Sequence, residues 1–162
     1  AAGGAAGGAP AAADALSALE LDAWRGFLRA HAALTRELDE ELERGEGLSL
    51  TEYDVLVQLA DFPGGSLRMS ELADAVLLSR SGLTRLVDDL ERRGLVERTR
   101  CPEDARGLNA VITERGREQR RRAAATHLEG VRRRFHRRLS EDQLEGLRRA
   151  WRALVPDAVS RP

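Results

Sequence analysis

The chain contains one cysteine, Cys101, and no lysine, so that all 26 of its basic residues are arginine. A single cysteine excludes an internal disulfide framework and favours a reducing compartment, which predicts a cytoplasmic protein. No apolar run approaches the roughly 18 residues that a membrane-spanning helix needs. The opening also lacks the basic and apolar segments of a secretory signal, so we expect neither secretion nor a membrane partner.

The motifs of the common enzyme classes are also missing. The sequence has no G-x-S-x-G, no phosphate-binding loop and no metal-spaced set of histidines or cysteines. Its histidines, His31, His127 and His136, fall in helical stretches without the i, i+4 spacing of a metal pair, and we interpret them as core or interface residues. We therefore expect no enzyme activity, no catalytic residues, no metal site and no cofactor.

Charge is distributed unevenly along the 162 residues. The part up to Ala75 has five arginines against 14 acidic residues, a net charge of −9, and the remainder has 21 arginines against 13 acidic residues, a net charge of +8. The whole-chain balance of −1 hides this asymmetry. A basic half of this kind is the electrostatic pattern expected of a part that binds a polyanion.

Composition and hydrophobic periodicity divide the chain into four parts. Residues 1–13 are an Ala/Gly tail with nothing to bury, and we expect them to be disordered. Residues 14–47 carry a long helix whose apolar stripe exceeds what one small domain needs. Residues 48–113 mix helix and strand, and residues 114–162 return to helix. We expect the two flanking parts to form a helical layer that packs against a second copy of the chain; a helix lying on its own core is the open alternative.

The stretch from Met69 to Val96 predicts two helices joined by a tight turn. The second helix, residues 80–93, begins after Ser79 as N-cap and ends before Gly94 in a left-handed conformation. One stripe of it is apolar, at Leu83, Leu86, Val87 and Leu90. The opposite stripe is polar, at Ser81, Thr84, Arg85 and Asp88. Such a helix packs one face on a core and offers hydroxyl and guanidinium groups on the other, which is the shape that enters a DNA major groove.

A two-stranded hairpin is predicted after this helix. Residues 95–100 and a shorter run at 110–113 flank turn residues at 101–107, so Asp104 and Arg106 are expected at the hairpin tip. A short strand at residues 67–69 could join the same sheet. Hydroxyl residues are placed to cap the other helices, and the expected N-caps are Ser49 (with Glu52), Ser70, Thr113 for a helix reaching about Arg138, and Ser140 (with Gln143).

This order of elements is that of a winged helix-turn-helix, and residues 48–116 resemble the MarR family of transcriptional regulators. The residues that carry the resemblance are Leu50-Thr51, Tyr53, Leu56, Leu72-Ala73, Ser79 to Asp88, Leu90-Glu91, Gly94-Leu95-Val96, Asp104-Ala105-Arg106-Gly107, Thr113 and Gly116. Ile112 stands where the family more often has leucine, which is a volume-conserving change. The resemblance implies a mainly α fold with a small β wing, of α+β class, in which N- and C-terminal helices form a dimerisation layer.

The resemblance further implies a homodimeric regulator that binds double-stranded DNA at a palindromic operator, most often as a ligand-responsive repressor. The wing arginine, Arg106, would enter the minor groove and be held by Asp104. Recognition helix, turn and wing together give the candidate DNA-binding residues, which are Ser70, Ser79, Arg80, Ser81, Thr84, Arg85, Asp104 and Arg106. On the alternative interpretation Arg80 and Arg85 are solvated helix charges, with Arg85 paired to Asp88 or Asp89.

A ligand pocket between the dimerisation helices and the winged unit is also implied by the resemblance. It makes Trp24, Phe27, His31 and Tyr53 candidate ligand-binding residues for a small aromatic or phenolic anion. Otherwise these four are core or interface residues. We interpret the arginine runs after the wing as solvated surface; they lie at 120–122, 132–134 and 137–138. The alternative interpretation is that a few of these arginines contact DNA phosphates. Two further hypotheses stay open, a winged-helix adaptor that does not bind DNA and a redox-responsive regulator that uses Cys101.

Overall fold

A computed structural model describes residues 15–101 and 104–155, and at residues 104–106 it describes the backbone alone. The predicted tail at residues 1–13 lies outside this range. The helices of the described part are α1 Ala18–Glu46, α2 Leu50–Asp61, α3 Met69–Ala75, α4 Arg80–Arg92, α5 Glu114–Arg134 and α6 Glu141–Leu154. Its strands are β1 Ser66–Arg68, β2 Val96–Cys101 and β3 Asp104–Ile112. The expected mainly helical α+β fold is confirmed.

The chain divides into two compact units, one ending at Leu34 and the other beginning at Thr35. The second unit holds the main core, in which helices α2 and α4 bury their apolar stripes. In α4 three of the four predicted core residues, Leu83, Val87 and Leu90, are buried, and Leu86 is partly buried. Each fully buried leucine contributes roughly 1.5–3 kcal/mol to folding, so this stripe fixes which face of α4 remains outside.

Side-chain caps begin most of the helices as expected. Ser49 and Ser140 each form a capping box with the residue three positions on, and Thr113 accepts a hydrogen bond from the Gly116 amide. Gly94 follows α4 with a φ of 70°, the left-handed conformation that glycine adopts without a Cβ penalty. These predictions are confirmed because caps are local interactions between residues about three positions apart.

The predicted N-cap at Ser70 is wrong. Helix α3 begins at Met69, directly after strand β1, and Arg68 is the capping residue in extended conformation. The Glu71 carboxylate accepts a hydrogen bond from the Arg68 amide at 3.3 Å, which satisfies the donor that precedes the helix. Strand and helix therefore join without an intervening residue, and Ser70 lies in the first turn of α3.

The sheet is antiparallel with strand order β1-β3-β2, so the short strand β1 joins the hairpin. Strand β3 is longer than the predicted run at 110–113 because it pairs with β2 from Ile112 down to Asp104, whereas β1 pairs only with Asn109–Val111. The hairpin pairing with β2 overrides the weak strand propensity of Arg106, Gly107 and Asn109. The backbone of Asp104 and Arg106 therefore belongs to β3 rather than to a turn, which corrects the prediction.

Helix α5 ends before the expected Arg138. Regular helix stops at Arg134, Phe135 leaves helical geometry with a φ of −116°, and one 3-10 turn follows at His136–Arg138. Arg134 contacts the carboxylates of Glu37 and Glu41 on α1, and these long-range ion pairs hold the last turn of α5 in place. The periodicity of the sequence did not reveal this break.

Candidate nucleic-acid interface

Helix α4 presents its polar stripe on the outside of the second unit. Arg80, Ser81, Thr84 and Arg85 are all exposed, whereas the opposite stripe is buried in the core. Ser79 opens the helix and accepts a hydrogen bond from the Gly82 amide at 3.1 Å. The Ser79 oxygen is therefore occupied by capping, and its part in the site is to fix where the first turn begins.

The two arginines of this stripe have no acidic partner among the residues that the structure describes. The interpretation that paired Arg85 with Asp88 or Asp89 is wrong, because both carboxylates bind other arginines. Asp88 lies 2.7 Å from the Arg98 guanidinium and Asp89 lies 2.7 Å from that of Arg92. A guanidinium without an internal partner keeps its donors for an external acceptor such as phosphate or a guanine edge.

The hydroxyl groups of the stripe are less available than its guanidinium groups. Thr84 donates its hydroxyl hydrogen to the Arg80 carbonyl at 2.8 Å, and the Ser79 and Ser81 hydroxyls lie 3.3 Å apart. This changes what Thr84 can offer, because its hydroxyl hydrogen is already used within the helix. A methyl group and an acceptor oxygen remain for contact outside it.

A cavity of about 350 Å³ brings the predicted residues of two helices together. It is lined by Met69 and Ser70 of α3 and by Arg80 and Thr84 of α4. Ser70, although it is not a cap, therefore lies close to Arg80 and Thr84 of α4. The side chains of Asp104 and Arg106 lie outside the described part of the chain.

Arg98 of β2 and Arg93 at the end of α4 are contact residues that sequence reasoning missed. Arg93 donates to the Gly47 carbonyl at 2.7 Å and contacts Glu52 at 3.0 Å, tying α4 to the turn between α1 and α2. Arg98 contacts α4 from the root of the wing. The only sequence signal was an excess of arginine, since partners such as Glu52 and Arg93 lie 41 positions apart.

The arginines of α5 are placed differently from those of α4. Arg133 contacts Glu41 at 2.5 Å, and Arg134, whose side chain is only 16% exposed, contacts Glu37 at 2.8 Å and also Glu41. The Arg133 guanidinium holds the pKa of Glu41 below its ordinary value of 4.5. Interpreting these arginines as solvated surface is wrong for Arg134, because α1 supplies the acids that bind it.

The candidate ligand-binding residues fall in both units. In the first unit the ring centroids of Trp24 and Phe27 lie 6.0 Å apart and those of Phe27 and His31 lie 6.2 Å apart. Trp24 is 54% exposed and Phe27 is 41% exposed. In the second unit Tyr53 is buried, and its ring centroid lies 5.0 Å from that of His127.

Burial perturbs the titration of the groups around Tyr53. Desolvation raises the pKa of Tyr53, lowers the pKa of His127 from its ordinary 6.5, and raises the pKa of Asp54 from 3.8. Among the described residues the buried Nδ1 of His127 has no hydrogen-bond partner. The α2–α5 contact therefore contains a half-buried imidazole and a half-buried carboxyl group, both shifted toward their neutral forms.

The part of the chain that the structure describes has no candidate membrane span and no candidate metal site. Within that part of the chain no helix combines the length and the apolar character needed to cross a membrane. In residues 15–101 and 104–155 no group of three or more histidine, cysteine, aspartate or glutamate side chains is arranged to hold a metal ion.

Comparison with known proteins gives consistent matches. A model of the MarR family matches residues 46–107. The transcriptional repressor MprA of Escherichia coli is 36% identical over 75 residues, which are 46% of this chain and 43% of that protein. The matched segment thus spans less than half the length of that repressor.

Solved structures match over most of the chain. AbsC, a MarR family transcriptional regulator from Streptomyces coelicolor, is 35% identical, with a TM-score of 0.81 over 91% of this chain and 99% of that one. Sco3205, a MarR family regulator from the same organism solved in complex with DNA, is 37% identical, with a TM-score of 0.82 over 91% of each chain.

Proposed function

The chain belongs to the MarR family of transcriptional regulators, and we propose that it binds a palindromic DNA operator as a homodimer. The observation that carries the proposal is the exposed stripe of α4, where Arg80 and Arg85 have no acidic partner among the described residues. The similar Sco3205 was solved in complex with DNA, which supports the same use of this fold. Because the family consists of regulators, the expectation that the chain is not an enzyme is confirmed.

In the proposed complex α4 lies in the major groove and the wing reaches the adjacent minor groove. Arg80, Arg85 and Ser81 would contact bases or phosphates, with Ser70 and Thr84 beside them. Arg106 would enter the minor groove, where a narrow A·T-rich segment attracts a guanidinium, and Asp104 would hold it. Two-fold symmetry requires half-sites about one helical turn, roughly 10 bp, apart.

Exposed apolar side chains support self-association. In the first unit they are Leu16, Leu19, Trp24, Phe27 and Leu28, and at the end of the described chain they are Leu154 and Val155. Apolar patches on helices at both ends of a chain are typical of an interface between copies. Parts 14–47 and 114–162 would form this dimerisation layer, and sedimentation at micromolar concentration tests it, a stable monomer being the contradicting result.

The central test is selection of bound duplexes from a random library, followed by titration at fixed salt. We expect enrichment of a palindrome with half-sites about one turn apart. We also expect Arg106→Ala to weaken binding by about 1–3 kcal/mol, most at A·T flanks. Equal binding of enriched and unrelated duplexes would contradict the proposal.

The adaptor alternative predicts that salt has little effect on duplex binding, whereas phosphate neutralisation makes affinity fall steeply with salt. The redox alternative has less support. Cys101 is buried, and the sequence contains no second cysteine to form an internal disulfide with it. Operator affinity that changed on mild peroxide treatment in wild type but not in Cys101→Ser would favour it.

A small aromatic or phenolic anion is the proposed effector class. The support is chemical: Trp24, Phe27, His31 and Tyr53 provide aromatic surface with one titratable imidazole. Trp24 is the sole tryptophan in a Trp151→Phe variant, since the chain has two. Saturable quenching of its fluorescence by benzoate or 4-hydroxybenzoate, with parallel loss of operator affinity, is the expected result. Quenching without any effect on operator binding would contradict an effector role.

A further inference from the structure

Arg98 binds one helix through both its side chain and its backbone. It lies in β2, and its side chain is 17% exposed. One guanidinium nitrogen lies 2.6 Å from the Glu91 carboxylate, and the other lies 2.7 Å from that of Asp88 and donates to the Thr84 carbonyl at 3.1 Å. The Arg98 amide also donates to Glu91 at 3.0 Å. All four contacts are to α4.

These contacts differ in kind from the other ion pairs of α4. Arg92 pairs with Asp89, three positions away on the same helix, so its contact constrains only α4 itself. Arg98 instead joins a strand to a helix at three successive turns. A planar guanidinium with several charge-assisted hydrogen bonds fixes both distance and orientation, which a single flexible pair does not.

Strand β2 continues from this contact toward the wing. Arg98 pairs in register with Ala110 of β3, the strand whose backbone carries Arg106. The direction in which the hairpin leaves the core is therefore tied to α4 through Arg98. Removing the guanidinium would take away the contacts with Asp88, with the Thr84 carbonyl and with one Glu91 oxygen, and would keep only the backbone contact between the Arg98 amide and Glu91. The side-chain hold of the hairpin on the middle of α4 would be lost.

We propose that Arg98 is a positioning residue that sets the angle between the recognition helix α4 and the wing, so that both reach their grooves in one docked geometry. This proposal rests on the proposed function, because it concerns how two DNA contacts are made together. It assigns no contact with DNA to Arg98. Its consequence is energetic coupling: the contribution of the wing to DNA affinity depends on the contacts between Arg98 and α4.

A double-mutant cycle on a selected operator tests this coupling. Arg106→Ala is expected to weaken binding by about 5- to 150-fold in wild type. In an Arg98→Gln background, where α4 no longer fixes the orientation of the wing, the same change should weaken binding by less than about threefold. Arg92→Gln is the matched control, since it removes an arginine from the same region but leaves the contacts of Arg98 with α4 intact. In this background Arg106→Ala should weaken binding as much as it does in wild type. A loss of affinity in Arg98→Gln with an undiminished Arg106 effect would overturn the proposal.

A second variant separates geometry from uncompensated charge. Asp88→Asn with Glu91→Gln removes the partners of Arg98 without leaving unpaired carboxylates on α4, and it too should reduce the Arg106 effect. Amide hydrogen exchange without DNA gives an independent readout. Faster exchange in β2 and β3 is expected in Arg98→Gln but not in Arg92→Gln, and equal exchange would overturn the proposal even if no operator were found. Wild type that selects no duplex would instead reject the proposed function.

Discussion

The arginines of α4 and those at the end of α5 are the same residue type in opposite surroundings. Arg80 and Arg85 lie on an exposed stripe without acidic partners in the described chain. Arg133 and Arg134 contact the carboxylates of α1, and Arg134 is mostly buried. The presence or absence of acidic partners, rather than the number of arginines, therefore distinguishes a surface available to DNA from one used for internal structure.

This comparison changes the meaning of the charge asymmetry. The acidic first part of the chain and the basic second part neutralise each other in several ion pairs, which are Arg93–Glu52, Arg120–Asp61, Arg122–Glu46, Arg133–Glu41 and Arg134–Glu37. Much of the +8 charge after Ala75 is thus balanced within the molecule. The polyanion-binding surface is expected to be narrower than the sequence suggested, and to centre on α4 and the wing.

The largest expected effect is the loss of DNA affinity when the unpaired arginines are removed. Arg80→Ala and Arg85→Ala should each weaken operator binding by about 1–3 kcal/mol, because each removes donors that have no acidic partner among the described residues. Fluorescence anisotropy at fixed salt measures it. Arg121→Ala is the control and should change affinity little, because Arg121 is an exposed arginine of α5 that pairs with Glu114. Equal losses in all three variants would remove the distinction.

Arg134→Ala should give the reverse pattern, a loss of stability. Its charge-assisted contacts with Glu37 and Glu41 are partly buried, so we expect the free energy of unfolding to fall by about 1–2 kcal/mol. Urea denaturation measures this effect. Arg132→Ala is the matched control, because Arg132 is exposed and pairs within α5 with Glu129. Similar small effects for both variants would show that α1 and α5 are not held by these pairs.

Thr84 allows a test within α4 of which side-chain group, the methyl or the hydroxyl, contacts DNA. Because its hydroxyl hydrogen is donated to the Arg80 carbonyl, we expect the methyl group to carry its contact with DNA. Thr84→Val should then keep operator preference, whereas Thr84→Ser should lower it by about 0.8 kcal/mol, the value of one buried methyl-sized group. Replacing individual operator thymines with uracil should reproduce the Ser effect at one position. A larger loss in Thr84→Val would assign the contact to the oxygen.

The smallest expected effect concerns pH and the α2–α5 contact. Burial lowers the pKa of His127 below 6.5, so near pH 6 the unfolded chain binds more protons at this site than the folded chain. The free energy of unfolding should therefore fall as pH falls through 6.5 toward 5. The raised pKa of Asp54 has the opposite effect on the free energy of unfolding. At pH values just above 3.8 the folded chain binds more protons at Asp54 than the unfolded chain does, so there this group stabilises the fold as pH falls. His127→Gln should flatten the fall between pH 7 and 5 in urea titrations, and an unchanged slope would contradict this account.

Local signals predicted much of the fold. Ser79, Ser140 and Gly94 were identified as helix ends because caps depend on neighbours a few positions away. The buried face of α4 was predicted from the helical spacing of its apolar residues, which is also a local signal. Ser70 was assigned wrongly because β1 joins α3 directly, and the start of β3 was missed because pairing with β2 extends the strand to Asp104.

The contacts that distinguish one arginine from another could not be predicted from these local sequence signals. Arg134 meets Glu37 across 97 positions and Arg93 meets Glu52 across 41. Even Arg98 and Glu91, seven positions apart, are joined only because β2 folds back along α4. Partners of this kind depend on tertiary packing, so the candidate residues could be predicted from sequence, but the assignment of each to DNA or to structure could not.

The salt dependence of operator binding tests the central claim most directly. The slope of log affinity against log salt reports the number of phosphates neutralised, at about 0.9 per contact on duplex DNA. We predict that the combined Arg80→Ala and Arg85→Ala variant has a shallower slope than wild type, while Arg133→Ala keeps the wild-type slope. An unchanged slope in the α4 variant, or an equal decrease in Arg133→Ala, would contradict the assignment of the α4 stripe to DNA.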